Sequence, residues 1–112
     1  MERLGNPANV GVCLDTGNSW LGGADPVEMA RVFKEKIRHI HWKDLGKEWE
    51  AKRGTVYGCG SASVAVGKGV IDVKGVFEVL QDSPDIRYST LEVRGEKNLL
   101  DSYAYLKSLG AE

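Results

Sequence analysis

Apolar residues alternate with small or polar ones along Val10-Gly11-Val12-Cys13-Leu14-Asp15. That is the period of a strand, with Val10, Val12 and Leu14 on one face and Gly11, Cys13 and Asp15 on the other. The turn Thr16 to Ala24 leads to Asp25-Pro26-Val27-Glu28, where Asp25 can cap a helix, Pro26 suits its first position and Glu28 stands three after the cap. Val27, Ala30 and Phe33, flanked by Met29 and Val32, predict the apolar face of a helix ending near Lys36. Period two returns at Ile37-Arg38-His39-Ile40-His41-Trp42-Lys43-Asp44, which sends His39, His41 and Lys43 one way and Ile40 and Trp42 the other. Two strands flanking a helix make a right-handed βαβ crossover, so these strands are expected to be parallel neighbours.

From Leu45 to Gly69 the pattern is irregular and interrupted by Gly54, Gly58, Gly60, Gly67 and Gly69. A segment of this kind suits a lid or binding loop, and its few anchoring apolar residues predict the most mobile part of the chain. Thr55-Val56-Tyr57 and Ser63-Val64-Ala65-Val66 could pair within it as a small hairpin. Asp72 then caps a helix with apolar face Val73, Val76, Phe77 and Leu80, ended by Ser83-Pro84-Asp85. A third strand, Arg87 to Val93, places Tyr88, Thr90 and Glu92 on one face, and a last helix carries the stripe Leu99, Tyr103 and Leu106 before Gly110 closes it. The predicted class is α/β: three consecutive β/α units with parallel strands, in a single domain spanning 1–112 with no internal repeat or linker.

Composition narrows the function classes. A chain of 112 residues makes one small domain, able to bury roughly two-thirds of its unfolded surface. With 42% hydrophobic and 28% charged residues it reads as soluble and globular. Fifteen basic residues against sixteen acidic give a net charge of −1, with no Lys/Arg stripe interleaved with aromatics. Neither nucleic acid nor an anionic membrane is therefore an expected partner. The first residues lack the apolar core of a secretory signal and no apolar run could span a bilayer, so a cytoplasmic location is expected. Cys13 and Cys59 fit free thiols in a reducing compartment, and neither is assigned a catalytic role.

The chemistry concentrates at one place. Asp15, His41 and Glu92 each fall at the carboxyl end of a predicted strand, the edge where parallel α/β folds gather ligands and catalytic groups. A carboxylate, an imidazole and a second carboxylate suit an octahedral divalent ion such as manganese, magnesium or cobalt, with zinc as the alternative. Each residue taken singly also has a plain use: Asp15 as a cap, His41 as a core histidine, Glu92 as a rim carboxylate.

Five blocks in order carry a resemblance: Asn9-Val10-Gly11-Val12-Cys13-Leu14-Asp15-Thr16-Gly17-Asn18, Gly23-Ala24-Asp25-Pro26, Ile37 to Asp44, Gly67-Lys68-Gly69-Val70-Ile71-Asp72 and Leu91-Glu92-Val93. Together they resemble the sugar phosphate isomerase/epimerase superfamily, the xylose isomerase-like TIM-barrel group that also holds inosose dehydratases, keto-hexose epimerases and endonuclease IV-type enzymes. The resemblance runs from Asn9 to Leu109 and reaches the last three of the family's eight β/α units, so the chain is expected to be the C-terminal portion of such a barrel. It implies that Asp15, His41 and Glu92 are metal ligands, and that a fourth, a glutamate on the family's fifth strand, would lie before Met1. Many members read Asp-Thr-Gly-His where this chain has Asn18, which cannot titrate near neutrality. No histidine occurs between Leu45 and Ile71, which sets the nuclease branch aside.

The implied activity is proton transfer next to a carbonyl of a sugar or sugar phosphate through a metal-stabilised enediolate, with Glu92 as both ligand and proton carrier. Asn18, His39, Lys43, Lys47 and Arg53 are candidate contacts to substrate oxygens. An inosose dehydratase-type lyase is one alternative, and a truncated, catalytically inactive domain that folds and associates is another. Three strands with three helices leave one sheet face and two edges open, so a homodimer or higher oligomer is expected.

Overall fold

The structure, a computed structural model, describes residues 11–55, 64–83, 86 and 89–110. Three strands, β1 (Val12–Asp15), β2 (Ile37–Trp42) and β3 (Ser89–Leu91), form one sheet in the order β1-β2-β3. Both pairings are parallel, as the crossover argument requires. Between them lie α1 (Thr16–Leu21), α2 (Pro26–Phe33), a 3₁₀ helix (Lys47–Lys52) and α3 (Val73–Leu80), and α4 (Glu96–Leu109) follows β3. The pairing of β1 with β2 shifts after Val12, which opposes Ile37, so that Cys13 opposes His39 and Asp15 opposes His41. His41 in turn opposes Thr90 of β3.

Leu14, Ile40 and Trp42 fill the helix-side face of the sheet, where they join Leu21, Ala30, Val73, Val76 and Leu80 in one core. Burial of each large aliphatic side chain there contributes about 1.5–3 kcal/mol. The core therefore fixes which face of each strand is left for chemistry. Both helix starts use the expected caps: Asp25 Oδ1 accepts from the amides of Val27 at 2.9 Å and Glu28 at 3.4 Å, and Asp72 Oδ1 accepts from Gly75 at 2.9 Å. Gly110 ends α4 in the left-handed conformation, at φ 118°.

Several expectations need correction. Thr16 to Leu21, read as a turn, is the helix α1, because the Asp15 carboxylate caps it by accepting from the Asn18 amide at 2.9 Å. Helix α2 stops at Phe33, short of Lys36, since the Lys36 carbonyl is needed to accept from Val12 at 2.7 Å where the chain turns into the sheet. Val32 and Phe33 are consequently exposed. On α4 the buried side is Ser102 and Leu106 with Tyr105 and Leu109 packed beside them, whereas Leu99 and Tyr103 face outward. A serine can take that inner position because its hydroxyl accepts from Val66 N at 2.8 Å and donates to Asn98 O at 2.7 Å.

The long segment after β2 is held at both of its described ends. Leu45, Ala65 and Val66 are buried, and Val64 forms an antiparallel bridge with Asp44. The remainder of the expected hairpin, Val56, Tyr57 and Ser63, lies outside the described residues, as do Val10, Cys59, Pro84, Asp85, Arg87 and Tyr88. Among the described residues no helix is long and apolar enough to cross a membrane.

Candidate metal centre

At the carboxyl end of the sheet, one ligand atom from each of Asp15, His41 and Glu92 lies within 4.8 Å of the others. Asp15 ends β1, His41 is the penultimate residue of β2, and Glu92 follows β3, its amide bonded to the Trp42 carbonyl at 3.0 Å. Metal–oxygen bonds of about 2.0–2.6 Å put two donors on one ion at most about 4–5 Å apart, so this donor set fits a single divalent cation. The His41 Nδ1 faces Glu92 Oε1 directly.

Lys43 completes the cluster. Its Nζ stands 3.1 Å from Glu92 Oε2 and 3.8 Å from Asp15 Oδ2, with a side chain only 5% exposed. Two neighbours in the first sequence block aim it. The Thr16 hydroxyl donates to the Lys43 carbonyl at 2.6 Å and accepts from its amide at 2.9 Å, so the end of β1 is clamped to the end of β2. Gly17 leaves room for the lysine stem: a Cβ there would lie 2.6 Å from Lys43 Cδ, 2.8 Å from Cγ and 2.9 Å from Cβ. Asp-Thr-Gly thus supplies a ligand, a clamp and a channel in successive positions.

Charge follows from this geometry. Partial desolvation of Glu92 opposes its ionisation, but the hydrogen bond and charge of Lys43, with His41 beside it, outweigh that and hold the carboxyl below its usual range. Partial desolvation, then the Asp15 and Glu92 carboxylates, push the exposed Cys13 thiol up, which keeps it protonated at neutral pH.

The other candidate residues divide. Asn18 belongs to the cluster, donating from its backbone at 2.9 Å and its side chain at 3.1 Å to the two oxygens of Asp15. His39 lies one step down the same sheet face, with Nε2 2.8 Å from Thr90 Oγ1 and its ring edge-on to His41 at 5.2 Å. Arg53 is engaged elsewhere: it donates to the carbonyls of Trp20 at 2.7 Å and Ala24 at 2.9 Å and stacks on the Trp20 ring, fastening the 3₁₀ segment to α1. Lys47 is exposed at the start of the 3₁₀ helix.

Asp44, to which the sequence pattern assigns no role, is fully buried. Its Oδ1 accepts from Leu45 at 2.9 Å and Ile71 at 3.0 Å, and its Oδ2 from Gly67 and Gly69, each at 3.0 Å. This carboxylate gathers the far end of the long segment onto the strand that carries His41 and Lys43. The Gly-Lys-Gly spacing is its signature, because a Cβ at Gly69 would overlap the Asp44 carboxylate and the Leu45 carbonyl, and Gly67 sits at φ 97°.

Comparison with known proteins agrees with the fold. An inosose dehydratase of Lacticaseibacillus casei is 31% identical over 89 residues, covering 74% of this chain and 30% of the relative. Inosose dehydratase 1 of Bacillus cereus is 26% identical over 106 residues, covering 89% and 36% respectively. The chain therefore spans about a third of the length of these curated relatives. Among solved structures, a xylose isomerase domain protein from Planctomyces limnophilus superposes with a TM-score of 0.72 at 26% identity, over 93% of this chain and 39% of that one. A probable 3-DHS dehydratase, AsbF, from Bacillus anthracis gives 0.69 at 22% identity over 99% and 43%, which speaks for the fold alone. The model of the xylose isomerase-like TIM-barrel family matches residues 1–109, and the chain belongs to that family.

Proposed function

We propose that this chain carries the C-terminal portion of a metal-dependent active site that moves a proton next to the carbonyl of a polyhydroxylated substrate, with loss of water as the reaction it serves. The observation that carries the proposal is the convergence of Asp15, His41 and Glu92 within 4.8 Å at the carboxyl edge of a parallel sheet. The activity by which the relatives are named, inosose dehydratase, favours elimination over isomerisation or epimerisation.

Asp15, His41 and Glu92 would hold a divalent ion, manganese, magnesium or cobalt before zinc, which when bound supplies electrostatic stabilisation of negative charge developing on the substrate oxygen. Asn18 keeps both Asp15 oxygens fixed by its two donors. Glu92, held ionised by Lys43 and His41, is the base suited to take the proton from the carbon beside the carbonyl. His39 and Thr90, joined on the same face, are placed to meet a substrate hydroxyl.

The test is a calorimetric manganese titration followed by incubation with an inosose in deuterated water. Heat of binding that Asp15→Ala and His41→Ala each abolish, and deuterium entering the carbon beside the carbonyl, are the expected results. A product lighter by one water assigns elimination. Equal heats for wild type and both variants would remove the metal site, and binding without deuterium uptake would leave a folded domain with no catalysis of its own.

A further inference from the structure

Lys43 is a basic residue placed where a metal cluster has least use for one. Its ammonium lies against two of the three candidate ligands, Glu92 at 3.1 Å and Asp15 at 3.8 Å. It has no easy way to leave. The Lys43 backbone is bonded in both directions to Thr16, its stem fills the space that Gly17 leaves, and the side chain is 5% exposed. Two carboxylates and one ammonium leave the cluster a single net negative charge, where the carboxylates alone would present two.

We infer that Lys43 is the resident counter-cation of this cluster, holding Asp15 and Glu92 in place before a divalent ion arrives and weakening the binding of that ion when it does. The inference rests on the proposed metal site. Two like charges confined within a few ångström in a partly desolvated site repel strongly, and a fixed ammonium cannot relax that repulsion by swinging into water. The carboxylates, for their part, do not collapse or recruit stray cations in the empty cluster, because a counter-charge is built in. Once a divalent ion is held, the surplus positive charge of the assembly is available to an anionic oxygen of a ligand. Lys43 thus exchanges affinity for the ion against attraction for the anion.

The experiment compares manganese binding by calorimetry in the full chain, Lys43→Met and Gly17→Ala. Lys43→Met keeps the apolar stem and deletes the charge, and is expected to bind manganese at least about tenfold more tightly. Gly17→Ala leaves the charges unchanged but puts a methyl group into the stem, and is expected to tighten binding by a smaller factor. Thermal melting supplies a readout independent of affinity: Lys43→Met should melt lower than wild type without metal and recover with manganese. A Lys43→Met chain that folds only when manganese is added supports the inference equally. Manganese binding by wild type that matches or exceeds its binding to Lys43→Met overturns the inference and leaves the metal site standing. If Lys43→Met stays unfolded in both buffers, Gly17→Ala decides, and affinity equal to wild type overturns the inference. No binding by any of the three removes the metal site and this role with it.

Discussion

The Thr16 hydroxyl closes a two-way hydrogen bond with the Lys43 backbone, donating at 2.6 Å and accepting at 2.9 Å across 27 residues of sequence. Both residues are buried, so neither Lys43 backbone group can turn to water if the hydroxyl is lost. Thr16→Val keeps the shape and deletes the partner, and is expected to cost about 2–3 kcal/mol, while Thr16→Ser costs less than about 1 kcal/mol. Urea denaturation of the two variants measures this. A Val variant as stable as wild type would show that the clamp is not needed to hold β1 against β2.

Asp44 is expected to be more sensitive still. Its two oxygens serve the amides of Leu45, Gly67, Gly69 and Ile71. Asparagine offers one oxygen, and its amide group would turn two donors against backbone donors. Asp44→Asn should cost about 3 kcal/mol or more and should speed hydrogen exchange at Gly67 and Gly69 ahead of the core amides of β2. Unchanged exchange at those two glycines would mean that the segment is held by Leu45, Ala65 and Val66 alone.

These two residues also show where sequence reasoning stops. Asp15, His41 and Glu92 were legible because strand periodicity predicts both the face and the end of the strand at which each side chain stands. Thr16 and Asp44 leave no periodic trace, since each bonds to backbone groups more than 20 residues away, and a short polar side chain facing a backbone looks the same in sequence as one facing water. Ser102 misled for the same reason. Its bond to the Val66 amide lets a polar residue take the inner side of α4, so of the stripe Leu99, Tyr103 and Leu106 only Leu106 is buried and the other two face solvent.

Acid should loosen the site in a particular window. The folded-state pKa of Glu92 is depressed below its ordinary value of 4.5, so its contribution to stability is fully present above that value and is lost as pH falls through the lower, folded one. In metal-free buffer, denaturation curves taken from neutral pH down through this range should show stability falling, and Glu92→Gln should flatten that fall. A Gln variant with the same acid slope as wild type would assign the loss to other carboxylates, of which Asp101, paired at 3.0 Å with both Lys68 and Lys97, is the first to examine.

The last expectation concerns association. The sheet face opposite the core carries Cys13, His39 and Thr90, and Cys13 and Thr90 are exposed. On α4, Leu99, Leu100 and Tyr103 stand together on the helix surface at 41%, 61% and 53% exposure. Among the described residues, strands β1 and β3 each have one neighbour in the three-stranded sheet, which leaves backbone donors and acceptors along two edges. Among the described residues, a sheet face with exposed Cys13 and Thr90, two edges and an apolar helix surface favour burial against a second copy, by a self-complementary contact of more than about 1,000 Å². Light scattering at micromolar concentration should therefore report a dimer or larger species. Charge placed in the patch by Leu100→Glu with Tyr103→Glu should dissociate it without lowering the helix content seen by circular dichroism, since neither side chain is part of the core. A well-folded monomer of the wild-type chain would show that these surfaces are stable in water and that a second copy is not what they require.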